Sequence, residues 1–246
     1  MSIDLNADLG EGMDDAAILP FLTSANVACG MHAGGPAMME RTVALSLARG
    51  VQVGAHPGYA DRANFGRLDV DLPLDEVESL VLYQIGALDG FVRARGGKLF
   101  HVKAHGALYN RAAKDAGLAR AIAQAVRRFS PELVLVGLAG SRLIEAAREA
   151  GLPAAGEAFA DRRYQPDGAL VPRSKPGAVL EDPAEAAEQA LLLAREGAVI
   201  ASDGSRLRIP AQTLCLHGDT PGATKIARAV RERLDQAGVQ VAPLKI

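Results

Sequence analysis

Only two cysteines, Cys29 and Cys215, occur in the 246 residues. That is too few for a disulfide framework and excludes the small secreted scaffolds that depend on one. No apolar run reaches the length of a membrane span. The opening Met-Ser-Ile-Asp has neither the basic nor the apolar region of a signal peptide. A soluble, reducing, cytoplasmic setting is therefore expected. Excess charge of one sign is also missing. The formal net charge is −2, so there is no basic footprint for nucleic acid or for an acidic membrane. No G-x-x-x-x-G-K-[ST] loop occurs, which leaves the chain without an obvious ATP site. Compact metal motifs such as H-E-x-x-H and C-x-x-C are absent, as are internal repeats, low-complexity tracts and linkers.

What is present is apolar and regular. Hydrophobic residues make up 49% of the chain, enough for a large core. The length fits one α/β barrel or two small domains. Strand-like runs lie near Ile3–Asp8, Asn26–Gly30, Val51–Ala55, Leu99–Lys103, Leu133–Gly137, Ala154–Ala158 and Thr213–Leu216. Helical patterns fall between most of them. Pro36 fits a first helical position with Gly50 as the stop. Further helices are expected over 74–95, 115–129 and 141–150, after Asp182-Pro183, and from Thr220-Pro221 to about Gln236. Strands alternating with helices predict parallel pairing through helical crossovers. Two segments break the rhythm: a Pro- and Gly-rich excursion from Gln165 to Leu180, and a hairpin around Asp203-Gly204. The run Val239–Leu244 is expected to add an edge strand.

Polar residues gather where the predicted strands end. Side chains alternate along a strand, so His101, Lys103 and His105 share one face, and Phe100, Val102 and Ala104 the other. Asp4, Asn6 and Asp8 form an acidic row on the first strand, with Glu11 just beyond it. The second strand leads to His32, the third to His56, the sixth to Glu157 and Asp161, and the last to His217 and Asp219. All five histidines lie on or just after strands. In parallel barrels, the loops after the strands build the active site. A lysine inside a strand needs an acidic partner, so Lys103 is either a structural ion pair with Asp4 or Asp8 or a clamp for an anionic substrate. A metal could draw on Asp8, His32, His56, His105 or Asp219. Cys215 shares a strand face with His217 and is read either as half of a thiolate pair or as an inert buried thiol. The helix start after His217 is read either as an anion site or as ordinary capping by Thr220. Arg62, Arg67, Arg162, Arg163, Arg173 and Lys175 would favour an anionic substrate if they flank the cleft.

Six segments together carry a family resemblance. They are Asp4-Leu-Asn-Ala-Asp-Leu-Gly-Glu11, Ser24-Ala-Asn-Val-Ala-Cys-Gly-Met-His-Ala-Gly34, Gly54-Ala-His-Pro-Gly-Tyr59, Val102-Lys-Ala-His-Gly-Ala-Leu-Tyr-Asn110, Glu157-Ala-Phe-Ala-Asp-Arg-Arg-Tyr164 and Leu216-His-Gly-Asp219. In this order the chain resembles the LamB/YcsF family, whose members serve as the A subunit of bacterial 5-oxoprolinase. It departs from the family's usual His-Ala-Gly-Asp-Pro at Gly35 and from Lys-Pro-His at Ala104, and the loop after Glu11 is shorter. The resemblance implies an α/β fold over residues 1–246, a single catalytic (β/α) barrel with seven parallel strands akin to glycoside hydrolase and deacetylase barrels. It also implies ATP-dependent opening of the 5-oxoproline lactam to L-glutamate, with partner subunits B and C. The nucleotide is expected on those partners or on this chain; a divalent metal stays open.

That chemistry needs a general base and fixed groups for developing negative charge. Asp8 or Glu11 is the expected base and Lys103 the anion clamp. His56, His105 and His217 would transfer or orient protons. Asn6, His32, Glu157, Arg163 and Asp219 are expected to bind substrate, with Glu157 and Asp219 also fixing histidine tautomers. The alternatives are a stand-alone metal-dependent deacetylase or amidohydrolase, and a non-catalytic substrate-binding subunit.

Overall fold

The computed structural model describes residues 1–218 and 222–245. Its strands are β1 (Ser2–Leu9), β2 (Ser24–Ala28), β3 (Gln52–His56), β4 (Leu99–Lys103), β5 (Val134–Leu138), β6 (Ala154–Phe159), β7 (Ala198–Ile200), β8 (Arg206–Arg208), β9 (Thr213–Leu216) and β10 (Gln240–Val241). The helices are α1 (Asp15–Ile18), α2 (Pro36–Ala48), α3 (Leu74–Ala94), α4 (Gly106–Ala112), α5 (Ala116–Phe129), α6 (Arg142–Glu149), α7 (Pro183–Glu196) and α8 (Ala223–Gln236). Strands β1 to β6 pair in sequence order, β6 pairs with β9, and β9 pairs back to β1. All these pairings are parallel, so the sheet closes into the expected seven-strand barrel. The predicted hairpin is the antiparallel pair β7–β8. The predicted start of the last helix at Thr220-Pro221 lies outside the described residues.

Local chemistry explains the helix limits. Asp182 accepts from the Ala184 N–H at the start of α7, and Asp115 accepts from Gly117 and Leu118 at the start of α5. Gly35, one of the family departures, stands at the N-cap of α2 and offers no side chain for that role. The apolar core lies between barrel and helices. Outward-facing Ile3, Leu5, Ala7 and Leu9 of β1 pack there with Ile85, Leu88 and Val92 of α3 and Ile122 and Val126 of α5. Each such large side chain, fully buried, contributes about 1.5–3 kcal/mol.

The barrel interior is polar. Asp4 accepts from Thr23, Ser24 and Thr213; Asn6 donates to Glu157 and Thr213; Asn26 donates to Asn6 and Asp8. Burial outweighs these hydrogen bonds at Asp4 and raises its carboxyl above the ordinary value. The apolar exception is a small patch of Val134, Val136 and Ala155, packed by Phe100 and Leu244. Leu244 also accepts from Gln52 through its carbonyl, so the tail after β10 closes the barrel end where strands begin. The predicted edge strand is thus β10 alongside β1, followed by this plug.

One register expectation fails. Phe100 does not share the outer face with Val102. Val53 pairs with Leu99 while Gly54 pairs with His101, so β4 carries an extra residue at Phe100. The bulge turns Phe100 toward the inner patch while His101 stays inside. His101 lies over Gly54, where an added Cβ would fall 2.1 Å from the ring Nε2. Gly54→Ala is therefore expected to destabilise the fold by about 1–3 kcal/mol through overpacking, read as a lower midpoint in urea denaturation. An unchanged midpoint would mean that the ring has room to move.

Candidate active site

At the strand C-terminal end the barrel opens into a cavity of about 720 Å³. Its floor carries Asp8, Glu11, His56, Lys103, His105 and His217. Arg67, Arg111, Lys114, Arg162 and Arg173 stand on its walls. The excursion after β6 folds back as one wall, held by bridges between Arg162 and Val179 and between Tyr164 and Leu170. Arg162 is pinned there, donating to the carbonyls of Val171 (2.7 Å) and Ala178 (3.3 Å). Burial brings its guanidinium down to about 10.

Lys103 is the buried cation of the floor. Its Nζ lies 3.0 Å from Asp8 Oδ1, 2.9 Å from Glu157 Oε1 and 3.1 Å from Cys215 Sγ. Burial alone would lower the ammonium, but Asp8 and Glu157 outweigh it and hold it well above the usual lysine value. The same pairing works on Asp8: burial raises its carboxyl, while His56 and Lys103 hold it well below the ordinary range. Burial pushes the Cys215 thiol far up against the pull of Lys103, which favours the inert thiol over a thiolate.

Three histidines and Glu11 form a second cluster. The His32 and His105 rings stack at 3.8 Å, and His56 stands edge-on to both. Gly66, with φ +63, makes this possible, because a Cβ there would lie 2.8 Å from the Cβ of His32. His32 Nε2 is 3.0 Å from Glu11 Oε1; its Nδ1 meets no partner among the described residues. Burial raises the Glu11 carboxyl, but its contacts with His105 and His32 bring it to about 2. Burial lowers His32 to about 4, whereas at His56 the charge of Asp8 outweighs burial and raises it.

A dyad completes the site. His217 Nδ1 lies 2.8 Å from Asp161 Oδ1, and the His217 backbone N–H donates to Asp161 Oδ2 at 3.0 Å. Burial raises Asp161, and His217 outweighs it to leave the carboxyl below its ordinary value. An ionised Asp161 fixes the Nδ1–H tautomer, so Nε2 carries the lone pair.

Of the sequence-predicted residues, Asp8, Glu11, His56, Lys103, His105 and His217 share the cavity floor, and His32 backs it. Others are placed differently. Asn6 and Glu157 are buried beneath the floor and do not line the cavity; Glu157 binds Lys103, Asn6 and Tyr109 rather than a histidine. Arg163 points outward to an ion pair with Glu185, and its neighbour Arg162 lines the wall instead. Of the other loop cations, Arg62 ties down the carbonyls of Gly30 and Gly34. Asp219 lies outside the described residues. Sequence reasoning missed Asn26, Tyr109 and the orienting role of Asp161. Asn26 alternates with Ser24 on β2, the one signal that could have placed it inside.

Among the described residues, two groups of donor atoms could hold a metal. In Asp8, Cys215 and His217 the atoms lie within 4.8 Å of one another, but the Lys103 ammonium already occupies that neighbourhood. In Glu11, His32, His56 and His105 they lie equally close with no lysine among them.

The LamB/YcsF family model matches residues 3–246. A Methylococcus capsulatus (strain Bath) chain, named as the A subunit of 5-oxoprolinase, is 55% identical over 99% of this chain and 96% of its own. The crystal structure of a lactam utilization protein from Thermus thermophilus superposes with a TM-score of 0.94 at 50% identity, covering 99% of this chain and 100% of that one. A deacetylase designated T48, solved with substrate, covers 98% of this chain and 87% of its own at 17% identity and a TM-score of 0.51, which is a likeness of fold alone. Full-length agreement in sequence and in barrel geometry has one conclusion: the chain belongs to the LamB/YcsF family.

Proposed function

We propose that this chain is the lactam-opening component of a 5-oxoprolinase. It takes 5-oxoproline to L-glutamate, coupled to hydrolysis of ATP to ADP and phosphate, and works with partner subunits B and C. The observation that carries the reading is full-length likeness to chains named for that role, and the cavity supplies chemistry that such a reaction requires.

An unstrained five-membered lactam is a stable amide. Transfer of the terminal phosphoryl group of ATP to its carbonyl oxygen releases ADP and makes the carbon electrophilic. Water then adds, the ring C–N bond breaks as the nitrogen takes a proton, and a second water hydrolyses the resulting acyl phosphate to glutamate and phosphate. The attacking water needs a proton acceptor, a role for which His217 is oriented by Asp161. Anionic oxygens that develop during attack need fixed positive charge. Lys103 supplies it at the floor, and Arg162 and Arg173 stand on the wall for a carboxylate or a phosphoryl group. Asp8 holds Lys103 in place and faces the same space. Glu11, engaged by two histidines, is the less available carboxylate.

The test is reconstitution. Purified subunits mixed with 5-oxoproline and ATP are expected to yield glutamate and ADP in equal amounts only when this chain is present. A second reading, an amidohydrolase that needs no ATP, is favoured by the four-ligand cluster. Glutamate formed by this chain alone, without nucleotide, would establish that reading and overturn the first.

A further inference from the structure

With neutral rings the histidine cluster leaves lone pairs facing one another, which either a proton on His56 Nε2, also 3.3 Å from Asp8 Oδ2, or a metal cation would answer. His56 Nδ1 lies 2.8 Å from the carbonyl of Lys103, and His105 Nε2 lies 2.8 Å from the carbonyl of Phe65. A carbonyl only accepts, so each of those nitrogens carries its ring's hydrogen. The remaining nitrogens, His56 Nε2 and His105 Nδ1, are then lone pairs in neutral rings, and they face each other at 2.9 Å. Glu11 Oε1, another lone-pair donor, is 3.3 Å from His105 Nδ1 and 3.8 Å from His56 Nε2. His32 Nε2 approaches the same oxygen at 3.0 Å. A proton added to one ring answers some of these contacts. One cation at their centre answers all four atoms.

The geometry points to a binding site for a divalent first-row transition metal, with Glu11 Oε1, His32 Nε2, His56 Nε2 and His105 Nδ1 as ligands. Three imidazoles and one carboxylate suit Zn²⁺ and its neighbours rather than Mg²⁺ or Ca²⁺. Donor atoms of a tetrahedral site with bonds of 2.0–2.1 Å lie about 3.4 Å apart. Glu11 Oε1 lies 3.0, 3.3 and 3.8 Å from the His32, His105 and His56 nitrogens, the latter two nitrogens lie 2.9 Å apart, and all four atoms fall within 4.8 Å of one another. At His56 and His105, backbone carbonyls on the far nitrogens fix the tautomer that leaves the near ones free to ligate, as the outer partners of metal-bound histidines do. The rings are held before any ion arrives by the stack of His32 on His105 and by the backbone at Gly58 and Gly66, where a Cβ would strike them. Glu11, His56 and His105 line the cavity, so an ion held there is reachable by a bound molecule. The site stands independently of the lactam reading.

The experiment uses the full chain, stripped with a chelator and titrated with Zn²⁺ by calorimetry, with Co²⁺ as a spectroscopic reporter. One Zn²⁺ per chain, visible Co²⁺ ligand-field bands and imidazole scattering in X-ray absorption are expected. Glu11→Gln and His32→Asn should each weaken Zn²⁺ binding at least tenfold, while Cys215→Ala, in the other donor group, leaves stoichiometry and affinity unchanged. Far-UV circular dichroism of the stripped variants shows whether they are folded, and a variant that is not is replaced by His105→Gln at the same reading. Less than a tenth of an equivalent bound by the folded wild-type chain would overturn the site. So would equal affinity in wild type and folded ligand variants, or loss of binding in Cys215→Ala alone.

Discussion

Lys103→Met is expected to abolish glutamate formation by the assembled enzyme and, in the same step, to weaken the fold. Methionine fills similar volume but carries no charge. It would leave the carboxylates of Asp8 and Glu157, now 3.0 and 2.9 Å from the ammonium, without their shared counter-ion. Removing one partner from a buried ionic group costs about 3–5 kcal/mol, so the urea midpoint should fall clearly. A lysine reaching up from the floor could be replaced without disturbing the fold, but this one is 2% exposed. Two roles therefore need separating. Adding Glu157→Gln to Lys103→Met removes one stranded charge and should restore part of the lost stability. If turnover stays absent in the restabilised double variant, the ammonium acts in the chemistry. If turnover returns, Lys103 is a structural ion-pair residue.

The same lysine illustrates what the sequence could tell and what it could not. Barrel strands were legible because apolar and polar residues alternate on β1 and, from His101 onward, on β4, and because glycine and proline mark the breaks. The cluster was legible for a related reason: a histidine at a strand end belongs to the rim whatever the details of packing. Depth along the barrel axis was not legible. Asp4, Asn6 and Asp8 share a face, but each two-residue step descends about 6.6 Å, so Asp8 meets the cavity and Asn6 lies beneath its floor. Glu157 is buried for the same reason, which turns a supposed substrate contact into a holder of Lys103. Arg162 and Arg163 differ by one position, and in an irregular segment no periodicity says which of them faces the cavity. Only the antiparallel bridge to Val179 settles that. The bulge at Phe100 depends on how β3 and β4 meet, a long-range fit that alternation within one strand does not encode.

The His217–Asp161 dyad makes the other large prediction. His217→Asn should lower kcat of the assembled enzyme by about 10²–10⁴-fold, the usual contribution of a positioned general base, with little change in KM. Asp161→Asn should lose nearly as much, although Asp161 does not line the cavity. Its two carboxylate oxygens serve two donors, the ring Nδ1–H and the backbone N–H of His217. An amide has one oxygen, so either the backbone loses its acceptor or the ring loses the tautomer that exposes Nε2. Because both residues serve one proton transfer, their effects should not add. The double variant should be no slower than His217→Asn alone, within about threefold. Additive losses would mean that Asp161 acts through a separate interaction. Unchanged kcat in His217→Asn would move the base to Asp8, a carboxylate on the same floor that His56 and Lys103 hold well below its ordinary range. Asp8→Asn would then take the loss forecast here for the dyad, and measuring both variants in one assay decides between the two sides of the cavity floor.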